Sequence, residues 1–101
     1  MKFILKNKLY DTDTAKEIAY VDNGYLNDDF RYFSHTLYLK KNGEYFLFTY
    51  GGAMTMYAEI KGDRKTCGYR VTPFTEEQAR RWAFQELDAE QYIKLFGEVE
   101  E

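Results

Sequence analysis

The sequence predicts an α+β fold: an antiparallel β meander of about four to five strands with two C-terminal helices packed on one face. Three observations carry that expectation. Aromatic and aliphatic runs flank Asn42-Gly43, which marks a hairpin over residues 33–50. After Pro73-Phe74 the apolar period changes from two to that of a helix, opened by Thr75-Glu76-Glu77-Gln78 as a capping box. Aromatic residues make up 19% of the chain, mostly Tyr and Phe, and such side chains favour half-buried pleated surfaces.

A chain of 101 residues reads as one domain, residues 1–101, large enough for a core without disulfide or metal staples. Cys67 is the only cysteine, so no intrachain disulfide can form and nothing points to an oxidising compartment. The opening residues lack the apolar core of a signal peptide, and no run approaches a membrane span. The expected location is cytoplasmic, with no membrane contact. The net charge of −3 is uneven: residues 1–74 carry 9 acids and 11 bases, residues 75–101 carry 8 acids and 3 bases. An acidic end can repel nucleic acid, mimic it, or simply keep the chain soluble.

Taken in order, residues 2–10 form one strand or the start of a tight hairpin, with Asn7 as its irregularity. Asp11-Thr12-Asp13-Thr14 is turn chemistry. A bend and then a strand from about Glu17 to Val21 follow, stopped by Asp22-Asn23-Gly24. Tyr25 to Asp29 connects to the hairpin arms Phe30–Lys40 and Glu44–Tyr50. Gly51-Gly52 ends the second arm. Residues 53–58 read as a half turn or a short strand, and residues 60–68 as a basic, glycine-containing loop. Tyr69–Phe74 is a last strand, with Pro73 near its end or on an edge. Helices follow, from about 76 to 87 with the stripe Ala79, Trp82, Ala83, Leu87, then one capped by Asp88 and closed by Gly97. Residues Glu98–Glu101 are expected to fray.

A two-residue type I′ turn at Asn42-Gly43 would set Leu39 opposite Phe46, Leu37 opposite Phe48 and His35 opposite Tyr50 on one side. Tyr38 with Leu47, Lys40 with Tyr45 and Thr36 with Thr49 would occupy the other. The first side is then the core that meets the Trp82 stripe. The second is too apolar to be left to water, so it is covered by another layer or by a partner.

Few residues suggest catalysis. His35 is the only histidine, and a lone His at a strand start reads first as a sheet residue. Pairing it with Cys67 has no support in spacing. The carboxylate pairs Asp11/Asp13 and Asp28/Asp29 sit in turn-like stretches where Asp bonds its own backbone. Phosphate-loop, dinucleotide-binding, nucleophile-elbow and metal-ligand spacings are all missing, so no cofactor, metal or catalytic residue is expected. Two stretches fit binding instead. In Gly51-Gly52-Ala53-Met54-Thr55-Met56-Tyr57, either the glycines admit a partner's backbone beside adaptable Met contacts, or they turn the chain while a Met fills the core. Lys61, Arg64, Lys65 and Arg70 can neutralise phosphates while Tyr69 stacks on a base, or can form a solvated loop.

The order of these motifs also carries a resemblance. LYDTDTAKEIA, DFRYFSHTLYLKKNGEYFLF, GGAMTMYAE and VTPFTEEQARRWA together span nearly the whole chain. They resemble a family of small uncharacterised proteins of Firmicutes mobile elements and prophages. Gln78 departs from the acid or Ala usual there, which leaves the capping box intact. Accessory proteins of such elements often inhibit host defence, and some anti-CRISPR proteins are similar in size and setting. The resemblance therefore implies a non-enzymatic protein that binds and inhibits a host defence nuclease, such as a Cas9-type protein. Candidate contacts are Tyr38, Tyr45, Met54, Met56, Tyr57, Asp28 and Asp29, with Glu98, Glu100 and Glu101 as further phosphate-like charges. The alternative is a small nucleic-acid-binding β module using Lys61, Arg64, Lys65, Tyr69 and Arg70.

Overall fold

The computed structural model describes residues 1–97. The expected fraying of Glu98–Glu101, and the roles given to Glu98, Glu100 and Glu101, lie outside the described residues. A four-stranded antiparallel sheet forms the middle layer, in the order β3 (Lys16–Asp22), β4 (Phe33–Leu39), β5 (Tyr45–Gly51) and β8 (Gly68–Phe74). Helices α1 (Glu76–Glu86) and α2 (Ala89–Phe96) lie on one face. A hairpin of β1 (Lys2–Leu5) and β2 (Lys8–Asp11) lies on the other, and a small hairpin of β6 (Glu59–Lys61) and β7 (Arg64–Thr66) is inserted before β8. The fold is the predicted α+β meander; residues 2–11 take the hairpin alternative and form a third layer, and the β6–β7 hairpin is additional.

The central hairpin corrects the expected register. Leu37 faces Leu47, Tyr38 faces Phe46, and Leu39 faces Tyr45. Lys40 N–H donates to the Glu44 carbonyl and Gly43 N–H to the Lys40 carbonyl, so the loop holds three residues, Lys41-Asn42-Gly43. Only Gly43 has positive φ, at 91°, and the Asn42 side chain accepts from Glu44 N–H. This is a type I turn closed by a glycine bulge, the usual three-residue hairpin loop. The two-residue turn with positive φ throughout occurs at Lys6-Asn7 instead, between β1 and β2.

A one-residue slip moves one arm's side chains to the opposite face. Phe46 and Phe48 therefore leave the face of Leu37 and Leu39, while Leu47 and Tyr45 join it. The core under the helices is Leu37, Leu47 and Ala79, with Tyr45, Phe74, Trp82 and Phe96 packed around it. A bulge in β3 lets Ile18 and Ala19 both reach that core. Thr75 and Asp88 each form a complete capping box, with Gln78 and Gln91 reaching back.

The opposite face is covered over half its length. Phe3 packs on Phe48 and Tyr10 edge-on to Phe46, which stacks on Tyr38. Phe46 is fully buried there, as Leu37 is on the helix side. Residues 60–68, expected as a loop, instead form most of the β6–β7 hairpin, whose turn begins with Gly62 at φ 65°.

Candidate interaction surface

Three segments meet at the end of the sheet away from the Lys41-Asn42-Gly43 loop. They are the connection 23–32, the segment 52–58 and the β6–β7 hairpin. Gly52 N–H donates to the Tyr32 carbonyl and Met54 N–H to the Phe30 carbonyl, each at 2.8 Å, which locks the first two segments together. Gly52 is required there: a Cβ would stand 2.5 Å from the Phe30 carbonyl oxygen. Gly51 pairs with Gly68 across β5 and β8, and Tyr57 covers both. The glycines admit the chain's own backbone, and they also turn it.

What this packing leaves outside is apolar. Leu26, Phe30, Met54, Met56 and Ile60 are between 65% and 79% exposed. Neither Met54 nor Met56 fills a core gap. Leu26 and Phe30 sit on one compact turn, closed by Asp29 N–H donating to the Leu26 carbonyl. Asp29 is engaged by the Arg31 guanidinium at 2.9 Å, and bonds from that side chain and its backbone hold the carboxyl below its usual range. Asp28 is exposed beside it. A cleft of ≈ 370 Å³ separates this turn from the hairpin, lined by Asp28, Asp29, Phe30, Tyr50, Lys65 and Cys67 among others.

The remaining sequence candidates divide. Tyr38 and Tyr45 are half-buried packing residues on opposite faces, Tyr38 against Phe46 and Tyr45 against Phe96. Tyr57 is held edge-on to Phe33 and His35, with the Arg70 guanidinium 5.0 Å above its ring. The basic residues do not converge on Tyr69. Register puts Arg70 on the helix face with Thr49, and Tyr69 on the opposite face with Tyr50. Lys61 and Arg64 are cross-strand partners in the small hairpin, whereas Lys65 pairs with Ile60.

His35 shares a 2.8 Å hydrogen bond between Nδ1 and the Thr49 hydroxyl. Burial holds its pKa below the usual imidazole value; Glu86 opposes this and Arg70 adds to it. Cys67 lies beside Tyr50 in the cleft, on the other side of the sheet from His35. Among the described residues, no three His, Cys, Asp or Glu side chains converge as metal ligands would, and no helix is long and apolar enough to cross a membrane.

The sequence reading misses Leu26 and Ile60, which sit in a connection and a basic loop, and it places Phe30 at the start of the first hairpin arm, whereas β4 begins only at Phe33 and Phe30 lies in the turn before it. The available signal was their contrast with those surroundings: two large apolar side chains flank Asn27-Asp28-Asp29, and one precedes Lys61-Gly62-Asp63. Comparison with protein-family models, with characterised proteins and with solved structures finds no match for this chain.

Proposed function

We propose that this chain is a non-enzymatic interaction protein that grips a protein partner with the apolar end formed by Leu26, Phe30, Met54, Met56 and Ile60. The observation that carries this reading is their joint exposure, with Leu26, Phe30, Met54 and Met56 on two segments tied together by backbone hydrogen bonds. Clustered large apolar groups on a soluble domain are characteristic of interfaces, and Met adapts its shape to a partner. The preformed backbone limits the ordering cost of binding. For the partner we take the class implied by the motif resemblance, a host defence nuclease of the Cas9 type, with inhibition by occlusion.

The test uses a purified Cas9-type nuclease, with and without guide RNA, in pull-down and cleavage assays. Retention of the nuclease and protection of its substrate are expected, both lost in the double variant Phe30→Ser, Met56→Ser. No retention together with undiminished cleavage overturns the nuclease assignment. Binding untouched by the double variant overturns the surface.

A further inference from the structure

Lysines gather at the sheet end opposite the apolar one. Three adjoining clefts, of ≈ 500, ≈ 450 and ≈ 380 Å³, lie around the end of the central hairpin. The first shares Lys8 and Glu44 with the second, and Lys40 and Lys41 with the third. Their charged lining is Lys6, Lys8, Lys16, Lys40 and Lys41, with the carboxylates Asp11 and Glu44. Five cations against two anions give this end a balance of +3 in a chain of net charge −3, so the other residues together carry −6. Folding alone assembles it, from the β1–β2 turn, the start of β3 and the β4–β5 loop.

The acids here are already engaged. Asp11 is buried, and its carboxylate accepts from Asp13 N–H. Glu44 accepts from Lys8 at 3.1 Å and from the Asn42 amide at 2.7 Å, and lies 3.9 Å from Lys40. One carboxylate thus serves two lysines, and the Lys40 ammonium is also held 3.8 Å above the Tyr10 ring. Nearby, Asp13 pairs with the N-terminal ammonium, Glu76 with Arg80 and Glu77 with Arg81. Glu17 lies on the opposite face of β3 from Lys16. Lys6, Lys16 and Lys41 are exposed and have no acidic partner among the described residues. Lys6 also has a φ of 49°, a conformation that glycine or asparagine adopts with less strain, so the turn keeps a cation where backbone preference opposes it.

The lining says which polyanion such an end accepts. Lysine ammonium groups hold phosphates as point charges, without the directional fork of arginine. The clefts present no exposed aromatic ring on which an unpaired base could stack: Tyr10 is buried and Phe74 half-buried. A duplex needs no such platform, because its bases stay stacked inside and its phosphates face outward at high density. Concave clefts also suit a rod-like polyanion better than a flat lipid surface. We propose that the lysine end binds the phosphate backbone of a nucleic-acid duplex through Lys6, Lys16 and Lys41, without reading its sequence. Lys8 and Lys40 add fixed positive charge between them. The site is distinct from the dispersed cations of residues 61–70 and lies at the far end of the sheet from Met54 and Met56, so it stands whether or not the protein partner is a nuclease.

The test titrates the full-length chain into a short, fluorescently labelled DNA duplex and follows anisotropy. Three phosphate contacts predict an affinity that falls about 40-fold between about 50 and 200 mM salt, and equally for two duplexes of unrelated sequence. The triple variant Lys6→Gln, Lys16→Gln, Lys41→Gln should bind at least about tenfold more weakly at low salt and lose most of that salt dependence. Its thermal unfolding should match wild type, since all three side chains are exposed. The double variant Phe30→Ser, Met56→Ser should leave duplex binding intact, which separates this site from the apolar end. A single strand of the same length, a poly-glutamate peptide and phosphatidylserine vesicles serve as comparisons. No duplex binding at low salt, binding unaffected by the triple variant, or tighter binding of any of the three comparisons each overturns the proposal.

Discussion

Gly68 lies directly beneath the Tyr57 backbone carbonyl, with no space for a Cβ between them. The contact fixes how segment 52–58 returns across the sheet end, and so where Met54 and Met56 emerge. Gly68→Ala forces the chain at Tyr57 to shift. It should cost about 1–3 kcal/mol in chemical denaturation and weaken binding at the apolar end. A Gly68→Ala variant of unchanged stability would show that the segment is not held there.

The hairpin register depends on burial of Leu37, Leu47 and Phe46 more than on Asn-Gly chemistry. Deleting Lys41 leaves Lys40 opposite Glu44 across a two-residue Asn-Gly loop, which suits a type I′ turn. The deletion should change stability by less than about 1 kcal/mol. Leu37→Ala, by contrast, should cost about 2–5 kcal/mol, since Leu37 is fully buried. Amide-exchange protection across β4 and β5 would report a slipped register.

His35 gives stability a defined pH dependence. Its folded pKa lies below the unfolded value, chiefly because of burial, so the unfolded chain takes up the proton first. Stability should therefore fall as pH drops from about 6.5 towards the folded pKa, level off below it, and be fully present above about 6.5. Thermal melts of wild type and His35→Asn over this range should converge in slope elsewhere and differ within it. An identical profile in both would refute the assignment.

The five exposed apolar side chains at the sheet end away from the Lys41-Asn42-Gly43 loop contribute little to the fold. Phe30→Ser and Met56→Ser should each alter unfolding free energy by no more than about 0.5 kcal/mol. Their effect should appear in partner binding and in a lower tendency to aggregate. Destabilisation well beyond that value would place these groups in the folding core instead of on a binding surface.

Local chemistry alone determined much of this protein. Thr75 with Gln78 and Asp88 with Gln91 announced both helices, and Gly97, with its positive φ, closes the second. Tyr69–Phe74 and Glu17–Val21 were legible as strands because β-branched and aromatic residues lie between turn formers. The α+β layering followed from strands coming first and helices last. Tertiary packing decided the rest. Asn42-Gly43 is compatible with a loop of two or three residues, and the choice assigns Phe46 and Phe48 to one face or the other. Only the competition between the helix layer and the β1–β2 hairpin for apolar side chains selects the register. Gly51, Gly52 and Gly68 are far apart in chemistry from the Met residues they expose, and their role depends on a backbone approach that no local pattern encodes. Arg70 and Tyr69 are neighbours in sequence but point to opposite sides of a strand, so a basic-aromatic patch read along the chain disperses in space.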